Sequence, residues 1–448
     1  MSIVDEALKK TTDTKSLIIG KGVLNRVPEM FKNLFGQSSA VVVADNNTWR
    51  VAGEQVQKYL EQAGIPTGKP FVFTDPELFA EWSYLEQLEA YLKDKEVIAV
   101  AVGSGVINDL TKLVSTHLNR KYMIVGTAAS MDGYTAYGAS ITFEGNKQTF
   151  DCKAPLGMVL DPYISAAAPK GMSASGFADL IAKVPAGADW MLADAAGVEK
   201  IDAFSFNLVQ CNLRKSLSDP DAVAAGEVEP TEMLAEGLIM SGFAMQSLQT
   251  SRPASGMEHQ FSHYWDMEGL CYQGKHVSHG FKVGIGTLVS TACLEFLLNC
   301  GFENLDVEAA VAKWPAWEEM EQQIHKIFDG KPGHLTRALI ESKNKYADRE
   351  GVRKQLTALK QAWPELKVKI KEQIFDFATD YDKLKRVGAP YEPEMIGVSK
   401  ARLKETFQGI PYMRSRFTSA DVLLRAGLMP QVEEALFGPE GKWNIQSK

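Results

Sequence analysis

The sequence holds no run of the roughly 20 uninterrupted apolar residues that a membrane-spanning helix needs. Its longest apolar stretches, such as VIAVAV at 97–102, are strand-sized. The amino-terminal MSIVDEALKKTTDTKSL has acids early and no apolar core of signal length, so a cytoplasmic location is expected. Basic charge is not in excess: Lys and Arg number 48 against 56 Asp and Glu, a formal net charge of −8. That balance argues against nucleic acid or an anionic lipid surface as the main partner, while leaving room for a small basic pocket that takes an anionic metabolite. Cysteine is scarce. Five residues (Cys152, Cys211, Cys271, Cys293, Cys300), an odd number with no CxxC pair, exclude a disulfide framework and fit buried thiols in a reducing compartment. Internal repeats and low-complexity tracts are missing too, which excludes solenoids and long disordered segments.

What is present is an ordinary globular composition. The chain has 448 residues, 45% of them hydrophobic and 23% charged, enough for two or three domains. Up to about residue 165, short β-branched runs alternate with amphipathic stretches. The runs are SLII (16–19), AVVVA (40–44), PFVF (70–73), VIAVAV (97–102) and YMIVG (122–126); the stretches include 48–64 and 79–94. Strands that read as continuous apolar runs are buried on both faces, and the intervening helices make parallel crossovers. The expectation is an α/β, Rossmann-like parallel-sheet domain over 1–165. ASITFEGNKQTF (139–150) reads as a β-hairpin with a Gly-Asn turn, and LGMVLDP (156–162) as one more strand, stopped by Pro162. Beyond 165 helical periodicity dominates, as in 229–249 and 277–300, so 166–448 is expected to be an all-α domain. Residues 313–388, rich in Lys, Glu and Gln, read as exposed helices, and 419–438 as two short packed ones.

Four segments could carry chemistry. GSGVINDLTK (103–112) follows the strand VIAVAV. Gly103 and Gly105 at the carboxyl end of a parallel strand, opening a helix, would let the backbone approach a pyrophosphate; a tight strand-to-helix turn explains the same residues. Asp109 and Lys112 are then either surface charges or contacts behind a ligand. Asp45 ends the strand AVVVA, where an acid either meets an adenosine ribose or caps the helix beginning near Thr48. Of seven histidines, four fall within 21 residues: His259, His263, His276 and His279. The members of each pair, His259 with His263 and His276 with His279, lie one helical turn apart, a spacing that suits metal ligation or plain packing. Asp179, beside Gly176, is a candidate third ligand, or half of an i,i+4 salt bridge with Lys183. Finally, TAASMDGYTAYGAS (127–140) offers Thr127, Ser130 and Asp132 to a polar ligand, or is simply a polar loop.

Taken in order, VVVADNNTWRVAG, GSGVINDLTK, GTAASMDGYTA, GFADLIAKVPAGADW, SRPASGMEHQFSH, HGFKVGIGT and GAPYEPEMIGVS resemble the sn-glycerol-1-phosphate dehydrogenase family. That family belongs to the iron-type alcohol dehydrogenase and dehydroquinate synthase superfamily, and the match covers roughly 16–430. The resemblance implies a dehydroquinate synthase-like fold. It implies a metal-dependent oxidoreductase interconverting dihydroxyacetone phosphate and sn-glycerol 1-phosphate with NAD or NADP and one divalent ion (Zn, Ni or Fe). It also implies a homo-oligomer, expected to be a dimer. Asp179, His259 and His279 become the metal ligands. Asp45, Gly103, Gly105, Asp109, Thr127 and Ser130 become cofactor contacts. Asp132 carries a catalytic and substrate-binding role, and Lys183, Arg252 and His263 are assigned to the substrate, the first two as phosphate partners. A polyol dehydrogenase or a dehydroquinate synthase-like lyase are the competing readings. Asp45 leans the cofactor towards NAD, because its charge would repel a ribose phosphate.

Overall fold

The computed structural model describes residues 3–445. The chain divides into two compact units, Met1–Leu180 with Asn207–Ser251 and Ile181–Phe206 with Arg252–Lys448. Residue 165 is thus where strand pattern gives way to helix, whereas packing groups the chain differently.

The first unit is built on a six-stranded sheet of β1 (Ser16–Ile19), β2 (Ser39–Asp45), β3 (Phe71–Phe73), β4 (Val97–Gly103), β5 (Tyr122–Gly126) and β8 (Gly157–Leu160). The order is β1-β8-β5-β4-β2-β3, and every pairing is parallel. All five apolar runs and the later LGMVL therefore become strands of one sheet. Val41, Val42 and Val43 are all fully buried, which is only possible when both faces of β2 are covered. Val42, Val100, Val102, Met123, Val125 and Val159 pack with residues of the helices Val27–Phe35 and Glu54–Gln62 into one apolar cluster. Each such side chain contributes about 1.5–3 kcal/mol by leaving water.

The hairpin forms from β6 (Ala139–Phe143) and β7 (Asn146–Phe150). Its turn is Glu144-Gly145, with φ of 50° and 76°, and not Gly-Asn. Two positive φ values in succession are what a two-residue hairpin turn of matching twist requires, so the pairing closes one residue earlier than the Gly-Asn pair suggests. Pro162 opens a short helix whose first turn is capped by Asp161, which accepts from the Tyr163 N–H. Helix Val228–Leu248 also belongs here: the buried Gln246 side chain accepts from the Asp13 and Thr14 N–H groups and donates to the Thr135 carbonyl.

The second unit is helical. Its 21-residue helix His279–Asn299 is apolar and long enough to cross a membrane, but 83% of the most apolar window is buried in the protein, so it is a core helix. Helix Arg349–Gln373 shows why a Lys- and Glu-rich segment still packs. Val352, Leu356, Leu359, Trp363, Leu366 and Ile370 recur every three or four residues and are buried, while the charges take the other face. Residues 313–388 are therefore exposed on one face only. The unit also contains a two-stranded hairpin, Cys271–Tyr272 with Lys275–His276. His276 sits on that exposed hairpin and His279 opens the next helix, so the expected helical spacing between them does not exist.

Candidate metal centre and glycine turn

Gly103 ends β4 and Gly105 opens the 13-residue helix Gly105–His117. A Cβ on Gly103 would lie 2.6 Å from the Ile107 Cβ, so glycine is demanded there by the turn's own packing. No side chain caps this helix. Its first-turn N–H groups are therefore left to solvent or an anion, and the turn fits a pyrophosphate on that ground. Asp45 acts as a cap: one carboxylate oxygen accepts from the Asn47 N–H at 2.7 Å and the Thr48 N–H at 2.9 Å. The cap reading of Asp45 is thus observed, and any ribose contact would have to share that carboxylate. Asp109 turns to the hairpin, accepting from the Ser140 N–H at 3.2 Å; burial raises its pKa, opposed by the Lys112 charge.

Lys112 is not a surface charge. It is fully buried, and its ammonium donates to the carbonyls of Gly133 (2.9 Å), Ala136 (2.9 Å) and Gly138 (3.0 Å). Asn108 adds a second donor to the Gly133 carbonyl and accepts from Tyr122. Tyr134 donates to the Ala128 carbonyl, and the Thr127 N–H donates to the Gly103 carbonyl. The segment carrying Thr127, Ser130 and Asp132 is therefore clamped from the side of the glycine turn and is no loose polar loop.

The same segment meets the helix Lys170–Ile181. A Cβ on Gly176 would sit 2.0 Å from the Ala129 carbonyl oxygen, so only glycine permits this approach. One turn on, the fully buried Asp179 accepts the Asp132 N–H at 3.0 Å.

His259 lies on the helix Met257–Met267 and His279 at the start of His279–Asn299. These helices approach closely because Gly286 has no side chain: a Cβ there would fall 2.3 Å from the Glu258 carbonyl oxygen. The two imidazole centroids are 5.3 Å apart. Asp179, His259 and His279 each offer one ligand atom, and the three atoms lie within 4.8 Å of one another.

Both imidazoles are held from behind. His259 Nδ1 is 2.8 Å from Glu258 Oε1. Nδ1 of His279 is 3.2 Å from Ser262 Oγ, which in turn reaches Asp266, itself paired with Lys282. A carboxylate can only accept, so Nδ1 of His259 is the donor and Nε2 is left as the lone pair. The hydroxyl that donates to Asp266 accepts from His279 in the same way. One carboxylate and two such imidazoles fit a divalent transition ion.

His263 is half-buried beside them; burial, and then the Arg414 charge, hold its pKa well below the usual imidazole value. Lys183 is fully buried in the first turn of the helix Lys183–Ala195. Arg252 is buried and donates to the Phe417 and Asp189 carbonyls at 2.9 and 2.8 Å, with Glu199 at 3.4 Å. Its guanidinium braces three segments of the second unit, with one N–H of each terminal nitrogen given to a main-chain carbonyl.

Sequence reasoning passed over Glu258 and Asp189 as structural elements of the site. Asp189 accepts from the Met257 and Ser419 N–H groups, and burial, followed by the Glu258 charge, pushes its carboxyl up to about 7. The signal for Glu258 was present in SGMEH, where an acid directly precedes the histidine, and that for Asp189 in the motif AGADW.

Comparison with known proteins agrees with this layout. A family described as iron-containing alcohol dehydrogenase matches residues 18–169. A glycerol-1-phosphate dehydrogenase (NAD(P)+) from Halalkalibacterium halodurans is 34% identical over 278 residues, 62% of this chain and 69% of that protein. One of the same name from Methanosarcina mazei is 32% identical over 275 residues, 61% of this chain and 75% of the relative. Among solved structures, glycerol dehydrogenase from Schizosaccharomyces pombe shares the fold at a TM-score of 0.60 and 17% identity, covering 95% of this chain and 90% of that one.

Proposed function

The chain belongs to the glycerol-1-phosphate dehydrogenase family, and from that premise we propose that it interconverts dihydroxyacetone phosphate and sn-glycerol 1-phosphate, using NAD or NADP and one divalent cation. The observation that carries this reading is the approach of three ligand atoms, from Asp179, His259 and His279, to within 4.8 Å of one another. Bound there, a Zn, Ni or Fe ion supplies a Lewis acid for the substrate oxygen, while the nicotinamide gives or takes the hydride.

The chain's own work is positioning. The uncapped first turn behind Gly103 and Gly105 takes the cofactor pyrophosphate, with Asp45 at the end of β2 available to the ribose. Oxidation of the secondary alcohol releases one hydride and one proton. Asp132, on the clamped segment beside Asp179, is assigned to hold the hydroxyl that gives up the proton, with Thr127 and Ser130 lining the nicotinamide end. Lys183 is assigned to the phosphate, and His263, kept neutral, to the substrate's polar edge. Because the backbone that carries Thr127, Ser130 and Asp132 is held by hydrogen bonds, alignment of donor and acceptor supplies roughly 7–11 kcal/mol of the barrier reduction on this reading.

A coupled assay tests the proposal: NADH or NADPH oxidation with dihydroxyacetone phosphate in Zn2+, Ni2+ or Fe2+, followed by chiral analysis of the product. Metal-dependent turnover to sn-glycerol 1-phosphate is expected. Equal efficiency with unphosphorylated dihydroxyacetone, release of inorganic phosphate, or no turnover with any of the three ions would overturn it.

A further inference from the structure

We propose that Glu258 is a positioning residue for the metal centre, fixing the imidazole of His259 in the tautomer whose Nε2 faces the cation; this rests on the metal-site reading above. Glu258 is fully buried. Its Oε1 accepts from the Gly256 N–H at 2.6 Å and from His259 Nδ1 at 2.8 Å. Its Oε2 is buried without a hydrogen-bond partner.

That second oxygen lies 2.8 Å from the point where a Gly256 side chain would begin, and Asp189 Oδ2 lies 2.6 Å from the same point. Glycine at 256 is therefore what makes room for two buried carboxyl groups side by side. Asp189 is fixed by the N–H groups of Met257 and Ser419, at 2.7 Å each. Arg252 donates to its main-chain carbonyl.

A buried acid with one empty oxygen, beside a second acid, is a poor device for stability. It is a good device for orienting an imidazole. A carboxylate behind Nδ1 fixes the ring and increases the donor strength of Nε2. His279 has a neutral hydroxyl in the same place. The two imidazoles therefore differ in basicity, and Glu258 sets the stronger donor.

Stability and metal affinity should consequently move in opposite directions. Replacing Glu258 with Gln removes the repulsion with Asp189 and offers that carboxylate an N–H donor, so the metal-free protein should unfold no earlier than wild type. The same change removes the charge behind His259, and Zn2+ should bind about 10–100-fold more weakly. The experiment measures Zn2+ affinity of the full chain by competition with a chromophoric chelator, for wild type, Glu258→Gln and His279→Ala, with calorimetry of each metal-free protein. Wild-type affinity in Glu258→Gln while His279→Ala loses binding would overturn this inference and leave the metal site standing. A parallel fall in metal-free stability and in affinity would also overturn it, in favour of a purely structural role. Failure of wild type itself to bind Zn2+, Ni2+ or Fe2+ would instead remove the metal site, and this inference with it. A measurement on wild type alone guards against a variant that does not fold: nitrogen-15 spectra of histidine-labelled, metal-free protein should show His259 protonated at Nδ1. Protonation at Nε2 alone would overturn the proposal.

Discussion

Replacing Lys112 with Met tests how the glycine turn and the segment behind Asp179 are held together. Met keeps an unbranched side chain of similar length, so the change removes donors and charge while leaving the volume nearly intact. Three carbonyls lose a charged donor, at 2.9, 2.9 and 3.0 Å. Gly133 keeps the Asn108 amide at 3.2 Å, but Ala136 and Gly138 lose the Lys112 donor on their carbonyls. Two buried carbonyls without that donor cost about 1–3 kcal/mol each. Asp109 also loses the ammonium 3.9 Å away, across an ion pair that is mostly out of solvent. A total of about 3–5 kcal/mol is the scale for breaking one side of a buried charged arrangement. For a unit the size of Met1–Leu180 with Asn207–Ser251, at about 2–4 °C per kcal/mol, the midpoint should fall by roughly 10 °C. Scanning calorimetry of the full chain reads this directly. Because the Asp132 N–H that contacts Asp179 rides on the same segment, Zn2+ affinity should fall as well. Lys112→Gln, which keeps one donor, should lose less than Met. A midpoint for Lys112→Met within about 2 °C of wild type would refute the reasoning.

Other outcomes follow from the same geometry. Asp179→Asn, His259→Ala and His279→Ala should each reduce bound metal and turnover at least tenfold, whereas His276→Ala, on its exposed hairpin, should keep wild-type metal content by elemental analysis. Arg252→Ala should destabilise by about 3 kcal/mol, because its donors serve two main-chain carbonyls; a selective rise in the Michaelis constant for triose phosphate with unchanged stability would instead favour the phosphate role. Asp380 is fully buried, its one bonded oxygen accepting from Thr291, and burial raises its pKa from 3.8 to about 7. The folded chain therefore holds that proton more tightly than the unfolded chain, so this group's contribution is complete below about pH 4 and is lost as pH rises through 7. The loss is on the order of 4 kcal/mol. Asp380→Asn should flatten that pH dependence in urea titrations and stabilise the protein at pH 8; an unchanged pH profile would show the carboxyl to be ionised when folded.

The sheet was legible because both its faces are covered. AVVVA, VIAVAV and the core of YMIVG are apolar without a break, and a strand with no solvent face has no reason to alternate. Where the pattern is governed by turn geometry, reading fails by a residue, as at Glu144-Gly145, whose positive φ values do not follow from composition. The hairpin at 271–276 was invisible for a different reason. Its strands are two residues each and exposed, too short to show any period, and without it His276 looked like a partner one turn before His279. The break in compactness at 180 was illegible as well, since it falls inside the helix Lys170–Ile181.

At the site, residue types were legible and contacts were not. Histidine clustering pointed to His259 and His279, yet spacing along the chain put His263 and His276 on equal terms with them. What separates these four is which side chains stand behind each ring, and that depends on helices crossing at a particular residue. The crossings are set by glycines. Gly176 lets the Ala129 carbonyl approach and so brings Asp179 to Asp132; Gly286 lets the Glu258 backbone approach and so brings two imidazoles to 5.3 Å; Gly256 opens room for two carboxylates. Gly176 and Gly286 lie inside helices, where glycine costs about 1 kcal/mol relative to alanine, whereas Gly256 is an N-cap, where glycine is well tolerated. A chain that accepts this cost at two points around one set of ligands does so because alanine would collide with backbone atoms at 2.0 and 2.3 Å. Gly286→Ala carries the argument furthest from any ligand side chain. It should push apart the helices that bear His259 and His279, and Zn2+ affinity should drop at least tenfold even though no donor atom has been changed. Wild-type affinity in that variant would mean the imidazoles find one another without the close crossing, and the glycines would need another explanation.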